Sequence, residues 1–144
     1  MQSPPPPSPT QTVWGQLPLD AQERTQTRRR VWWAERDCEL ILSLPRGTVL
    51  QPGDRLRATT GEVLEIIAKP QRVLTVRSDN PHQLLRAAYH LGNRHVPLEI
   101  TPVYLRLEAD AVLASLLAQL GVEVKSETVP FLPESGAYHH RHST

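Results

Sequence analysis

Six histidines supply the metal-binding chemistry of this chain, and their positions divide them into groups. His82 and His90 lie in a stretch with helical periodicity, and His95 follows at its end. The last six residues hold the others, His139, His140 and His142. A helical histidine with no partner four residues away forms no chelate, so we expect His82 and His90 to be solvated.

His95 lies in the stretch YHLGNRHVPLEI, residues 89–100. Gly92-Asn93 is expected to end a helix there, and Pro97 to fix the chain beyond it. Two roles fit a histidine at this position. It can be a cation that interacts with the helix dipole, or the turn can present its imidazole to a metal. Spacing alone leaves both open.

The C-terminal run YHHRHST is polar and follows Glu134-Ser135-Gly136. Such a segment is expected to be mobile, so its imidazoles can meet a metal wherever the tail reaches. The same composition also fits a solvated tail or a purification tag, although Arg141 interrupts the histidine run. His139, His140 and His142 are therefore candidate metal ligands.

Several classes of function are disfavoured, beginning with enzymes. The chain has no Gly-x-Ser-x-Gly elbow and no phosphate-binding glycine loop. A hydrolytic metal site needs about three protein ligands and a base, and near His95 only Glu99 is a candidate.

Charge and hydropathy disfavour two further kinds of partner. Lys and Arg number 16 against 15 Asp and Glu, which gives no global field for nucleic acid. No apolar run approaches the ~18 residues that a membrane span needs. With one cysteine, Cys38, and no leader of the signal-peptide type, we expect a soluble, cytoplasmic protein.

Changes in composition divide the chain into four segments. Residues 1–12 include MQSPPPPSP and are expected to be a disordered extension, or a ligand for a proline-reading module. Residues 13–70 carry short β-type runs, which predict a small all-β domain that binds partners. A hinge is predicted at Lys69-Pro70-Gln71, followed by a second domain over 71–136 and a flexible tail over 137–144. The β-type runs are RRRVWW, CELILSL, GTVL and GEVLEII.

The periodicities of the second domain predict the order strand, helix, strand, strand, helix, strand. The chain is therefore predicted to be α+β, with a ferredoxin-like βαββαβ domain. Asn80-Pro81 begins the first helix, which runs to about Leu91. Its predicted apolar face is Leu84, Ala88 and Leu91, widened by Leu85. Asp110 is expected in the first turn of the second helix and Gly121 at its end, and the sheet face away from both helices is expected to be open.

LLRAAYHLGNRHVPLEI closely resembles the signature of the UreE urease accessory proteins, a family of nickel metallochaperones. LPRGTVLQPGDRL resembles the N-terminal domain of that family, and VPFLPESGAYHHRH resembles its C-terminal run. The resemblance covers residues 15–142.

The resemblance implies a homodimer in which His95 of each protomer shares one nickel ion, carried as cargo. It implies as partners the urease apoprotein and a complex containing the urease accessory GTPase, and zinc or copper is expected to compete for the site. The alternative is a non-catalytic assembly scaffold whose metal binding is incidental. Some family members have histidines just before the second helix, where this chain departs from the pattern with the residues EADA at 108–111.

Overall fold

The computed structural model describes residues 14–134, which belong to two compact units with their boundary between Lys69 and Pro70. The predicted hinge, Lys69-Pro70-Gln71, spans this boundary. The proline-rich extension and the whole of the predicted tail, including its histidines, lie outside the described residues.

The N-terminal unit consists of short strands in two sheets. β1 (Gly15–Leu19) pairs in parallel with β5 (Val63–Ala68), and β4 (Arg55–Arg57) pairs antiparallel on the other side of β5. β2 (Arg28–Trp33) and β3 (Cys38–Ser43) form an antiparallel hairpin. Both sheets contribute to the buried core of the N-terminal unit, which includes Leu17, Leu19, Trp33 and Ile66.

Two strands of this unit were absent from the sequence prediction, and one predicted run is irregular. β1 contains Pro18, which suits an edge position because proline cannot donate to a ladder. β4 is only three residues long. The run GTVL forms no strand: the Thr48 N–H donates to the Pro45 carbonyl at 3.1 Å in a turn, and Gly47 adopts a positive φ of 86°.

The C-terminal unit is a four-stranded antiparallel sheet with two helices, which confirms the predicted ferredoxin-like arrangement. Its strand order is β7-β8-β6-β9. The elements in chain order are β6 (Gln71–Arg77), α1 (Pro81–Asn93), β7 (Glu99–Ile100), β8 (Leu105–Glu108), α2 (Ala111–Gln119) and β9 (Glu123–Val129).

Side-chain caps begin both helices. The Asn80 side chain accepts from the His82 N–H at 3.0 Å, with Pro81 in the first helical position. Asp110 was expected inside the first turn of α2 but is its N-cap, accepting from the Leu113 N–H at 3.0 Å. Gly121 follows α2 with a φ of 81°, a left-handed conformation that favours glycine.

The helices cover the sheet face that carries Leu74 and Val76. Leu85, predicted to widen the apolar stripe of α1, does not join this core: its side chain is 70% exposed. The opposite sheet face was expected to be open, but Val73 and Thr75, which alternate with the core residues, are both buried. That face is therefore partly covered.

Neither helix of residues 14–134 has the length and apolar character that a bilayer span requires.

Candidate metal centre

His95 occupies the turn that ends α1, and three backbone hydrogen bonds fix this turn. The His95 N–H donates to the Gly92 carbonyl at 2.9 Å, and the Val96 N–H reaches back to the Leu91 carbonyl at 3.1 Å. The Arg94 N–H also donates to Leu91, at 3.1 Å. The first two bonds are those of a Schellman motif, in which the residue after the C-cap adopts a left-handed conformation. That residue is His95.

The backbone of His95 has a φ of 58°, one of two positive values at non-glycine residues between Trp14 and Glu134. A side chain in this conformation costs about 1 to 2 kcal/mol, which is why helices usually place glycine here. We predicted that Gly92-Asn93 would end the helix, but both residues lie inside α1. The left-handed position falls two residues after Asn93, where histidine stands in place of glycine.

Apolar anchors hold the His95 turn on both sides. Leu91 and Leu98 are buried in the core beneath α1, and Val96 packs against the same cluster. The Val96 contact provides the apolar partner that usually accompanies a Schellman motif. His95 itself is an exposed residue, so the core fixes the backbone of the turn from one side only.

The other described histidines stand apart from His95. His82 is exposed in the first turn of α1, as predicted. His90 is half-buried, with its ring edge-on to Tyr89 at 5.4 Å between centroids, so it is not the fully solvated residue that we expected. Within residues 14–134, no three His, Cys, Asp or Glu side chains converge as a possible metal site.

Glu99, the one other residue considered as a ligand near His95, is committed elsewhere. Its side chain is buried and accepts from the Tyr104 hydroxyl at 2.9 Å and from the Leu132 N–H at 2.9 Å. The Arg106 guanidinium lies 3.4 Å from the same carboxylate. A carboxylate with these donors is part of a polar network in the sheet and not an open ligand.

This network extends across the sheet through Arg106 to Thr75 and Glu127. Arg106 donates to the Thr75 hydroxyl at 3.1 Å and lies 3.6 Å from the Glu127 carboxylate, while Thr75 donates to Glu127. The Thr75 hydrogen bond is the main cause that lowers the pKa of Glu127. The hydrogen bond to Glu99 raises the pKa of Tyr104, because ionised Tyr104 could no longer donate.

The chain after β9 runs beside the strand that follows His95. The Glu134 N–H donates to the Leu98 carbonyl at 2.7 Å, and the Leu132 N–H binds Glu99. The last described residues of the chain therefore lie next to Leu98 and Glu99, three and four positions after His95. Sequence reasoning missed this contact because it joins residues far apart in the chain.

The solvent face of α1 carries two large apolar side chains. Leu85 and Tyr89 are 70% and 68% exposed. With His82 and Gly92 they recur at spacings of three, four and three residues, so they form one stripe along the helix. This stripe, which we call the α1 outer stripe, ends one turn before His95.

Comparison with known proteins places both units in one family. A model of the UreE urease accessory protein N-terminal domain matches residues 4–69, and a model of the C-terminal domain matches residues 71–144. The chain belongs to the UreE urease accessory protein family. The two matches meet at the same position as the boundary between the compact units.

Individual UreE proteins are similar over nearly the whole chain. The urease accessory protein UreE of Nostoc punctiforme is 53% identical over 141 residues, which cover 95% of each chain. The protein of that name from Microcystis aeruginosa is 51% identical over 140 residues, covering 97% of this chain and 85% of its own. UreE of Thermosynechococcus vestitus is 52% identical over 124 residues, 85% of each chain. These UreE relatives are named as accessory proteins and not as catalytic enzymes.

Proposed function

We propose that this UreE protein is a nickel carrier that delivers the metal to apo-urease during assembly of the urease metallocentre. The observation that carries the proposal is the His95 backbone. A strained, left-handed conformation of a histidine, at a position that usually holds glycine, is a reason to look for function in that side chain.

Dimerisation would turn one imidazole into two ligands. The α1 outer stripe offers an apolar surface whose spacing suits packing against a second copy of the same helix. An interface around a two-fold axis brings each residue opposite or near its symmetry mate. If the axis passes close to the end of α1, the two copies of His95 can share one metal ion.

The tail would complete the coordination. Its root is held at Glu134, beside Leu98, and His139 follows after five residues of chain. Five extended residues span at most about 18 Å, so His139, His140 and His142 can approach a metal near the His95 turn.

Such a site would bind its cargo reversibly. Two imidazoles, with tail histidines and water in the remaining positions, leave coordination sites that ligands of a recipient protein can enter. Imidazole suits nickel, copper and zinc, so we expect zinc and copper to compete.

The partners follow from the family assignment. We propose that the carrier acts in the cytoplasm, within a complex that contains the urease apoprotein and the urease accessory GTPase, and that the N-terminal β domain binds partners. No catalytic role is proposed, and neither nucleic acid nor a membrane is expected as a partner.

A scaffold is the second candidate, and the β2–β3 hairpin favours it. Trp32 and Ile41 are both largely exposed on the face of the hairpin away from the core, with Arg30 beside them. An exposed apolar pair beside the ion pair of Arg30 and Glu39, whose charged atoms lie 3.7 Å apart, is suited to binding another protein. In the scaffold hypothesis this surface is the functional site and metal binding is incidental.

Calorimetric titration of the purified full chain with nickel separates the two candidates. A carrier should show a submicromolar site at one nickel ion per two chains. The absence of any submicromolar site would contradict the carrier function and favour the scaffold.

A further inference from the structure

The face of the β2–β3 hairpin that points away from the core changes character along its length. On β2 its exposed side chains are Arg28, Arg30 and Trp32, which alternate with buried or half-buried residues. The strand register places Ile41 opposite Arg30 and Glu39 opposite Trp32. Trp32 and Ile41 are diagonal neighbours and are 60% and 64% exposed. We call this surface the hairpin outer face; it is basic at the start of β2 and apolar four residues further on.

An open cleft of about 740 Å³ adjoins the basic end of the hairpin outer face. Its lining residues are Thr25, Gln26, Thr27, Arg28, Arg29 and Arg46, which include three arginines and no carboxylate. The Arg29 guanidinium is offset by the Glu23 carboxylate at 3.4 Å and also donates to the Gln26 side chain. Among residues 14–134, neither Arg28 nor Arg46 has a carboxylate within ion-pair distance. This arginine cleft therefore has two positive charges that no neighbouring side chain offsets.

Backbone hydrogen bonds fix both of these arginines. Arg28 begins β2, and the hairpin continues one residue before it, where the Leu44 N–H donates to the Thr27 carbonyl at 2.8 Å. Arg46 follows in a tight turn that is closed by a 3.1 Å hydrogen bond to the Pro45 carbonyl. A guanidinium presents its N–H donors as a planar fork that matches the two oxygens of a carboxylate. Two such groups on a fixed backbone suit a ligand with several carboxylates.

We propose that the arginine cleft and the hairpin outer face together bind an extended acidic segment of a partner protein, with its carboxylates in the cleft and an apolar side chain on Trp32 and Ile41. Arg28 and Trp32 are four residues apart on one strand, a distance of about 13 Å. The segment should therefore carry its acidic and apolar side chains about four residues apart as well. The inference rests on the proposed partner-binding role of the N-terminal domain and applies equally to a nickel carrier and to a scaffold.

The charges at the apolar end favour a polypeptide over a nucleic acid. Glu39 lies opposite Trp32, and Asp37 is exposed in the connection between β2 and β3. A nucleic acid that stacks a base on Trp32 would bring phosphates close to these carboxylates, because every nucleotide carries a negative charge. A polypeptide can carry its negative charges at the cleft and present only apolar groups to Trp32.

Fluorescence anisotropy of a labelled peptide tests the proposal on the metal-free full chain, so the result is independent of nickel binding. The probe has a pair of glutamates at each end, a pair of leucines in the centre and a pair of serines between them on each side. Its glutamates and leucines are thus four residues apart in either chain direction. One control probe has glutamine in place of every glutamate. The other exchanges the serine and glutamate pairs, which keeps the charge but shortens the spacing.

We expect the wild type to bind the probe with a Kd of about 10 to 100 μM at low salt. The glutamine probe should bind at least about tenfold more weakly and the probe of shortened spacing about threefold more weakly, because each loses contact at one end of the surface. A wild-type Kd above about 1 mM, or equal binding of the glutamate and glutamine probes, would overturn the proposal.

Four single variants, each checked for its fold by circular dichroism, locate the binding surface. Arg28→Gln and Arg46→Gln should each weaken binding of the probe about fivefold, the effect of losing one exposed ion pair. Arg86→Gln makes the same charge change at an exposed position of α1 and should leave binding unchanged. Ile41→Ser should weaken binding about tenfold. Its control Val112→Ser, on the exposed face of α2, should not.

Two further results would contradict the assignment of this surface. An equal loss of affinity in Arg28→Gln and Arg86→Gln would mean that the probe responds only to net charge. A single-stranded oligothymidine of the same length as the probe, if it bound more tightly than the peptide, would make the surface a nucleic-acid site and overturn the proposal.

Discussion

At the scale of single residues, His95 combines two properties that are usually separate. Its position in the Schellman motif calls for glycine, because only glycine adopts a positive φ without steric cost. Its side chain is instead one of the best metal ligands among the amino acids. Stability of the folded chain therefore favours glycine at position 95, whereas the proposed metal site requires histidine. Substitutions of His95 should change stability and metal binding independently.

His95→Gly should stabilise the metal-free protein while removing the imidazole. The substitution relieves about 1 to 2 kcal/mol of backbone strain in the folded state. The flexible glycine also stabilises the unfolded state by about 0.4 to 1 kcal/mol, so the net increase in the free energy of unfolding should be about 0.5 to 1 kcal/mol. His95→Val should lose about 1 to 2 kcal/mol, because a β-branched residue is especially poor at positive φ. Urea unfolding at fixed protein concentration measures both. Equal stability of the two variants would contradict the strained conformation.

Sequence patterns predicted the features around His95 that depend on neighbouring residues and missed the contacts between residues far apart in the chain. The Asn80-Pro81 start of α1 was predicted because its signal lies within three residues of sequence. The role of Glu99 was not, because its partners Tyr104, Arg106 and Leu132 lie 5, 7 and 33 residues away. A glutamate on a short strand looks the same in sequence whether it faces solvent or a buried guanidinium.

At the scale of elements, α1 carries apolar side chains on two opposite faces. Ala87 and Leu91 are buried against the sheet, while the α1 outer stripe faces away from it. The periodicity of the helix was predicted correctly, but Leu85 was wrongly assigned to the core as a residue that widens the apolar stripe of Leu84, Ala88 and Leu91. Its exposure makes it a residue of the proposed dimer interface.

Leu85→Glu should convert the dimer to monomer without unfolding the chain. In the proposed symmetric interface two copies of Leu85 would meet, and losing the burial of each would cost about 1.5 to 3 kcal/mol, so the dimer should weaken at least about a hundredfold. Sedimentation velocity measures this, and circular dichroism checks the fold. Val112→Glu is the matched control, since Val112 is 78% exposed on α2, outside the stripe. A Leu85→Glu protein that remains dimeric would place the interface elsewhere.

The sheet network should make stability sensitive to acid through Glu127. The pKa of Glu127 is lowered from its ordinary 4.5, mainly by the Thr75 hydroxyl, so its stabilising contribution is present above pH 4.5 and lost as pH falls through the folded value. Thr75→Val removes the main cause of the shift. Wild type should therefore be more stable than Thr75→Val at pH 7, and the difference should shrink below pH 4.5. Thermal unfolding across this range tests it, and a difference independent of pH would contradict the assignment.

At the scale of the whole molecule, the two units have separate cores and separate sheets. The order of helices and strands in the ferredoxin-like unit was predicted correctly because the elements alternate with clear periodicities. The N-terminal unit was predicted only as β-rich, because β1 and β4 are short and β1 pairs with a strand distant in sequence. Pairing of that kind depends on tertiary contacts that local patterns do not encode.

Limited proteolysis should cut the chain near Lys69-Pro70 and leave a folded C-terminal fragment. Each unit is compact by itself, so cleavage at the boundary should leave the C-terminal unit folded. The fragment spanning residues 72–144 should also dimerise, because it contains the α1 outer stripe. Mass spectrometry and sedimentation of the fragment measure both properties. An unfolded or monomeric fragment would contradict the division of roles between the units.

The shared His95 site is the central claim, and nickel titration of intact dimers tests it most directly. His95→Ala removes both proposed protein anchors at once, whereas His90→Ala and His82→Ala remove histidines on the same helix that take no part in the site. We expect the wild type and both controls to bind one nickel ion per dimer with the same affinity, and His95→Ala to lose that site. If His95→Ala keeps the wild-type affinity at one nickel per dimer, the bridging-histidine mechanism is wrong.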